Sequence, residues 1–123
     1  MILGKSFDES SPLFLQIKDR IEDLIMNNGL IEDEQIPSTT QIVQFYKINH
    51  ITVSKGVNLL VDSGVLYKKR GVGIFVSVGA REKLLKKRQE KFVDEFIVPV
   101  CEEAVKLGLT FDNIVKMMED EMK

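Results

Sequence analysis

IPSTTQIVQFYKINHITVSKGVNLLVDSGVLYKKRGVGIFVSV, residues 36–78, is the stretch whose reading decides the fold. Pro37-Ser38 opens a short helix, because a serine hydroxyl accepts from the backbone donors of a first turn and proline suits that turn. Lys47-Ile48-Asn49 is a turn, and Asn49 caps a second helix from about His50 to Ser63. Ser63-Gly64 stops that helix, since glycine tolerates a left-handed backbone. Val65-Leu66-Tyr67-Lys68 and Ile74-Phe75-Val76-Ser77-Val78 then read as two strands, β-branched and aromatic, around the tip Lys69-Arg70-Gly71-Val72-Gly73. Two helices joined by a tight turn and followed by a hairpin with a cationic tip form a winged helix-turn-helix. Such an arrangement can lay one helix in a DNA major groove and the hairpin tip against the backbone.

The faces of the two helices follow from their spacing. Ile42, Val43, Phe45 and Tyr46 supply the apolar face of the first, and Val53, Val57, Leu60 and Val61 that of the second. What stays outward near the start of the second helix is His50, Ile51, Thr52, Ser54, Lys55 and, one turn on, Asn58. That set mixes hydrogen-bonding groups for base edges, an aliphatic for thymine methyls and a cation for phosphate or guanine. Ile51 has no core role beside a cap unless it folds back onto a neighbouring helix. Ser38 and the amides behind it offer a phosphate contact, because helix N-termini attract anions.

A formal charge of −2 over 123 residues does not attract phosphates, so its distribution matters. Residues 1–48 hold four bases against eight acids, and residues 92–123 three against eight. Residues 49–91 hold ten bases against three acids, which puts positive charge on the second helix, the wing and the start of the next helix. Lys86, Lys87 and Arg88 fit a solvated helix face equally well. The apolar share of 44% and charged share of 29% are those of a soluble globular protein, and no apolar run approaches a membrane span. Met1-Ile2-Leu3 runs at once into charged residues, so no apolar leader is expected. The single cysteine, Cys101, makes no internal disulfide, which fits a reducing cytoplasm.

Ahead of the motif, Ser11-Pro12 reads as a helix start with Ser11 as cap. Phe14, Ile17, Ile21, Leu24 and Ile25 form the stripe of a supporting helix that ends at Asn27-Asn28-Gly29. Glu32-Asp33-Glu34 is an acidic connection whose carboxylates do not converge, so no metal is expected. Behind the motif, Leu84, Leu85, Phe92, Phe96, Val100, Ala104 and Leu107 recur at helical spacing. Pro99 predicts a bend or break near Val98. Gly108 closes that segment, and Thr110 caps a last helix with Phe111, Ile114, Val115, Met118 and Met122 on one side. The expected organisation is a winged helix-turn-helix domain over 1–78 and a helical dimerisation region over 79–123, mostly α with a small β-hairpin (α+β). The dimer residues are Leu84, Leu85, Phe92, Phe96, Val100, Phe111, Ile114, Val115 and Met118. Their alternative is to fold back on their own domain.

Pro37-Ser38, Gly64-Val65-Leu66-Tyr67, Arg70-Gly71-Val72-Gly73-Ile74-Phe75-Val76 and the Ser11-to-Ile17 opening together resemble the GntR family of bacterial transcriptional regulators. Asn49 with Thr52-Val53-Ser54-Lys55, and the short tail, resemble its YtrA-like branch. The resemblance implies a homodimer bound to a near-palindromic double-stranded DNA operator, most simply as a repressor. It places DNA contacts on Ser38, Thr39 and Thr40, on Asn49, His50, Ile51, Thr52 and Lys55, and on Lys69, Arg70, Gly71 and Gly73 of the wing. Thr39-Thr40 depart from the Glu-Arg usual in the family, and Glu32-Asp33 replace a Pro-Gly turn. Asp still permits that turn, because it accepts unusual backbone angles.

Other classes read less well. His50 is the only histidine and Cys101 has no second one to activate it, so no catalytic residue and no cofactor is expected. A winged helix that binds protein or RNA instead of duplex DNA is the stronger rival. The tail is too small to enclose a pocket for a small-molecule effector within one subunit, although a dimer interface could form one.

Overall fold

In the computed structural model, Leu3, Gly4 and residues 6–123 are described. Met1, Ile2 and Lys5, part of the expectation of no apolar leader, lie outside the described residues. The chain divides into two compact units, residues 1–85 and 86–123.

The first unit is built on α1 (Leu13–Met26), α2 (Thr39–Tyr46), α3 (His50–Asp62), β1 (Leu66–Lys69), β2 (Gly73–Val76) and the start of α4 (Ala80–Phe92). Ile17, Ile21 and Ile25 of α1 meet Val53, Val57 and Leu60 of α3 in a core to which α2 adds Ile42. Each such aliphatic side chain contributes about 1.5–3 kcal/mol when fully buried. Gly56 sits where α3 crosses α1: a Cβ there would lie 2.6 Å from the Phe14 carbonyl oxygen and 3.2 Å from Ile17 Cβ. Phe45, read as part of the apolar face of α2, is instead 48% exposed: of that short helix Ile42 is buried, and Val43 and Tyr46 pack partly buried against the core.

The helix ends follow local chemistry. Ser38 and Gln41 close a capping box: Gln41 N donates to Ser38 Oγ at 3.0 Å and Ser38 N to Gln41 Oε1 at 2.8 Å. Ser38→Ala should therefore cost about 1 kcal/mol in a denaturant titration. Lys47 ends α2 at φ 56°, and Asn49 caps α3 by accepting from Ile51 N at 2.7 Å. Asp33, at φ 63°, makes the turn read from its replacement of the usual Pro-Gly. Ser11 does not cap α1. Pro12 is the cap residue there, and the Gln16 amide reaches back to the carbonyls of Asp8 and Ser11 at 2.8 and 2.7 Å.

β1 and β2 pair antiparallel, Leu66 opposite Val76 and Lys69 opposite Gly73. The acidic connection lies along the far edge of β2: Ile36 N donates to Ile74 O and Val76 N to Glu34 O, with a bridge between Gln35 and Phe75. β2 ends at Val76, so Val78, read as strand, lies outside it and is exposed. Ala80 and Leu84 are buried in the same core, which carries the first unit past residue 78 to Leu85. Arg81 Nε donates to Met26 O and Lys83 Nζ to Ser63 O, so two cations of α4 meet the carbonyl ends of α1 and α3.

In the second unit, the end of α4 runs through a π-helical segment, Val93–Ile97, into α5 (Val98–Leu107), followed by α6 (Phe111–Glu121). Where a bend or break was expected near Val98, the helix instead runs on unbroken through this wider turn. Pro99, in the first turn of α5, has no N–H for the carbonyl four residues back, and the π segment precedes it. Gly108 (φ 69°) ends α5, and Thr110 caps α6 with Asn113 in a second capping box.

Candidate nucleic-acid interface

The first turn of α3 presents its side chains outward as the spacing predicts. Ile51 is 75% exposed, His50 and Lys55 are exposed, and Thr52 is half-buried. With Ser54, Asn58, Leu59 and Asp62, the residues His50, Ile51 and Lys55 line one open depression along the helix. Ser54 and Asn58 thus belong to this surface on the same helical face. His50 Nδ1 lies 3.5 Å from Ser54 Oγ. Lys55 does not hang free: its ammonium sits 4.0 Å from the centroid of the Phe14 ring, an attraction that fixes the charge at the helix surface.

Three more expected contacts have prior partners. Asn49 uses its carbonyl oxygen on the backbone of α3, leaving the amide NH₂ as its outward donor. Ser38 and its amide are engaged by Gln41, so the phosphate contact at that helix start falls to the Ser38 hydroxyl hydrogen and the amides of Thr39 and Thr40, which the capping box does not use. Lys69 Nζ lies 4.6 Å from the centroid of Phe75. Thr40 is exposed and Thr39 half-buried.

At the wing, Gly71 (φ 77°) and Gly73 (φ 155°) take backbone angles that side chains rarely adopt, and Val72 N donates to Lys69 O at 2.9 Å to close the tip. Arg70 is exposed, and among the described residues it has no hydrogen-bond or ion-pair partner. Tyr67 of β1 donates its hydroxyl to Asp33 Oδ1 at 2.8 Å, which raises the tyrosine pKa by favouring its protonated form. The acidic run is divided among separate tasks. Asp33 holds Tyr67, Glu32 accepts from Gly79 N at 2.8 Å, and Glu34 accepts from Ile31 N at 2.9 Å. Among the described residues no group of three or more His, Cys, Asp or Glu could hold a metal ion. No helix among them is long and apolar enough to cross a membrane.

The residues expected at a dimer contact separate into two sets. Leu84 is 2% exposed inside the core of the first unit, so it is not available to a partner, and Leu85 is half-buried. Phe92, Phe96, Val100, Phe111 and Met118 of the second unit are exposed, and Ile114 and Val115 half-buried. Leu107 and Met122, which belong to the periodic stripes, are exposed as well, and so are Val93, Val105 and Met117, which periodicity did not single out.

Comparison with known proteins agrees with this geometry. The chain is 23% identical over 114 residues to the uncharacterized HTH-type transcriptional regulator YhcF of Bacillus subtilis (strain 168), covering 93% of each. It is 32% identical over 74 residues to the HTH-type transcriptional repressor NagR of the same organism, of which it spans only 30%. Among solved structures, a putative GntR-family regulator from Bacteroides thetaiotaomicron superposes with TM-score 0.73 at 33% identity, over 89% of this chain and 96% of that one. The DNA-binding domain of AraR in complex with operator ORR3 superposes with TM-score 0.53 at 29% identity, over 60% of this chain and 90% of that one. The family model for bacterial regulatory proteins of the gntR family matches residues 13–76, from the first residue of α1 to the last of β2, and the chain belongs to that family.

Proposed function

We propose that this chain is a transcriptional regulator that binds a near-palindromic double-stranded DNA operator as a homodimer and represses by occupying a promoter. The observation that carries this is the first turn of α3: an aliphatic side chain three-quarters exposed beside a cap, flanked by His50, Thr52 and Lys55. In the AraR domain the same fold is bound to an operator, which supports the same use here. The start of α3 reads bases in the major groove, while Arg70, Lys69 and backbone amides hold phosphates. Residues 86–123 provide the dimer contact, supported by their exposed aromatic and aliphatic side chains. Two recognition helices then lie about 34 Å apart, or a multiple of it, along the duplex. The protein works in the cytoplasm as a member of the YtrA-like branch, a reading supported by the short tail and by the match to YhcF over nearly all of both chains. A small-molecule effector would bind between subunits.

The test begins with selection of a duplex from random oligonucleotides, followed by gel-shift titration in rising salt. Affinity should fall steeply between about 50 and 200 mM salt, and a flat response would overturn a phosphate-dominated contact. Arg70→Ala should weaken binding to every sequence and reduce the salt slope by about 1. Ile51→Ala should instead change which sequence is selected, at about 1–3 kcal/mol for the affected base pair.

A further inference from the structure

Arg70 and Gly71 project from a tip that the two-stranded ladder does not reach. The last ladder pair is Lys69 with Gly73, and two of the tip residues are glycines in left-handed conformations. A short hairpin of this kind is marginally stable by itself and its glycines are conformationally free. One side chain from outside the hairpin reaches the tip. Gln35 Nε2 donates to Val72 O at 3.2 Å across 37 positions of sequence. Its stem lies over Gly73: a Cβ on that glycine would fall 3.0 Å from Gln35 Cδ and closer still to its amide nitrogen. The backbone of Gln35 is fixed in turn by its bridge to Phe75 and by Ile36 N donating to Ile74 O at 2.9 Å. Three residues further along stands Ser38, the cap of α2. The same short segment therefore holds the wing tip and starts the helix-turn-helix.

We infer that Gln35 is a positioning residue for DNA binding: its amide on the Val72 carbonyl and its stem across Gly73 set the wing tip so that Arg70 meets the phosphate backbone already ordered. This rests on the operator-binding reading given above. Gln35 itself touches no DNA and acts through Arg70. A tip ordered before binding forfeits less conformational entropy on contact, so the clamp raises affinity without adding a contact. It also explains Gly73 beyond its backbone angle, since any larger residue there would displace the Gln35 side chain.

Gln35→Met keeps the length of the stem and removes the donor. In the free full-length protein, amide order parameters at Gly71 and Val72 should fall from about 0.85 to below about 0.6, with the thermal midpoint unchanged because Gln35 is exposed. Unchanged order parameters overturn the clamp. On the selected duplex, Gln35→Met should bind roughly three- to tenfold more weakly than wild type. In an Arg70→Ala background the same substitution should change affinity by less than about twofold, the signature of two residues acting as one unit. Equal losses in both backgrounds overturn the positioning role. A wild-type chain that selects no duplex overturns the regulator reading and this role with it. That result is distinct from failure of the clamp alone, in which wild type binds and Gln35→Met binds as tightly.

Discussion

Gly56→Ala is expected to destabilise the first unit by about 3 kcal/mol, the upper part of the range for overpacking a close-packed contact. The sign is the informative part. Helix propensity alone predicts that alanine in place of glycine within α3 stabilises by about 1 kcal/mol. Packing opposes this, because the new methyl would meet the Phe14 carbonyl at 2.6 Å and the Ile17 side chain at 3.2 Å. The carbonyl belongs to helical backbone and cannot swing aside, so α1 and α3 must separate along a seam that holds Ile17, Ile21, Val53 and Val57. Thermal unfolding should show a fall of roughly 4–8 °C for each kcal/mol in a unit of this size. A melting temperature equal to or above wild type would mean that the two helices do not approach as described.

The second large effect concerns assembly. Phe96→Glu should leave a folded monomer that binds the operator roughly 10²- to 10⁴-fold more weakly, because the second half-site is then no longer held at high effective concentration. Phe96 is 57% exposed and meets Phe92 at 5.6 Å between ring centroids. In a single subunit a glutamate there stays hydrated at little cost. Against a partner it would be an unpaired buried charge, worth several kcal/mol. Analytical ultracentrifugation reads the assembly and gel shift the affinity, while the melting of the first unit should not move. A variant that still sediments as a dimer would place the contact on other residues.

How much was legible in the sequence depended on the range of the interaction. Caps and turns were readable at Ser38, Asn49, Asp33, Gly64 and Thr110, because each rests on a side chain or backbone angle within about three residues of its partner. Stripes were readable where a helix is long: Ile17, Ile21 and Ile25 left little choice, whereas α2 is too short for its period to separate Ile42 from Phe45. Contacts between distant segments left no periodic trace. Nothing near Leu84 marks it as core of the first unit, nothing near Arg81 and Lys83 marks their carbonyl partners, and nothing near Gln35 indicates that it meets the wing. Gly56 did leave a signal, a glycine inside a helical pattern, which is a reason to look for a close approach. At the interface the outward set of α3 was readable from its spacing. The capping that occupies Ser38 and Asn49 was readable too, whereas the seat of Lys55 over Phe14 was not, since it depends on a neighbour brought in by folding.

The wide turn at Val93–Ile97 also governs phase. Phe92, Phe96, Val100 and Ala104 follow one another at intervals of four, and an α-helix of 3.6 residues per turn would carry such a series steadily around its axis. A segment bonded five residues apart takes more residues per turn and opposes that drift, keeping the series closer to a single line. Deleting one residue from 93–97 would restore ordinary winding and rotate everything downstream by about 100°. The second unit could stay fully helical after such a deletion and still present the wrong side, so one codon there can decouple helicity from assembly.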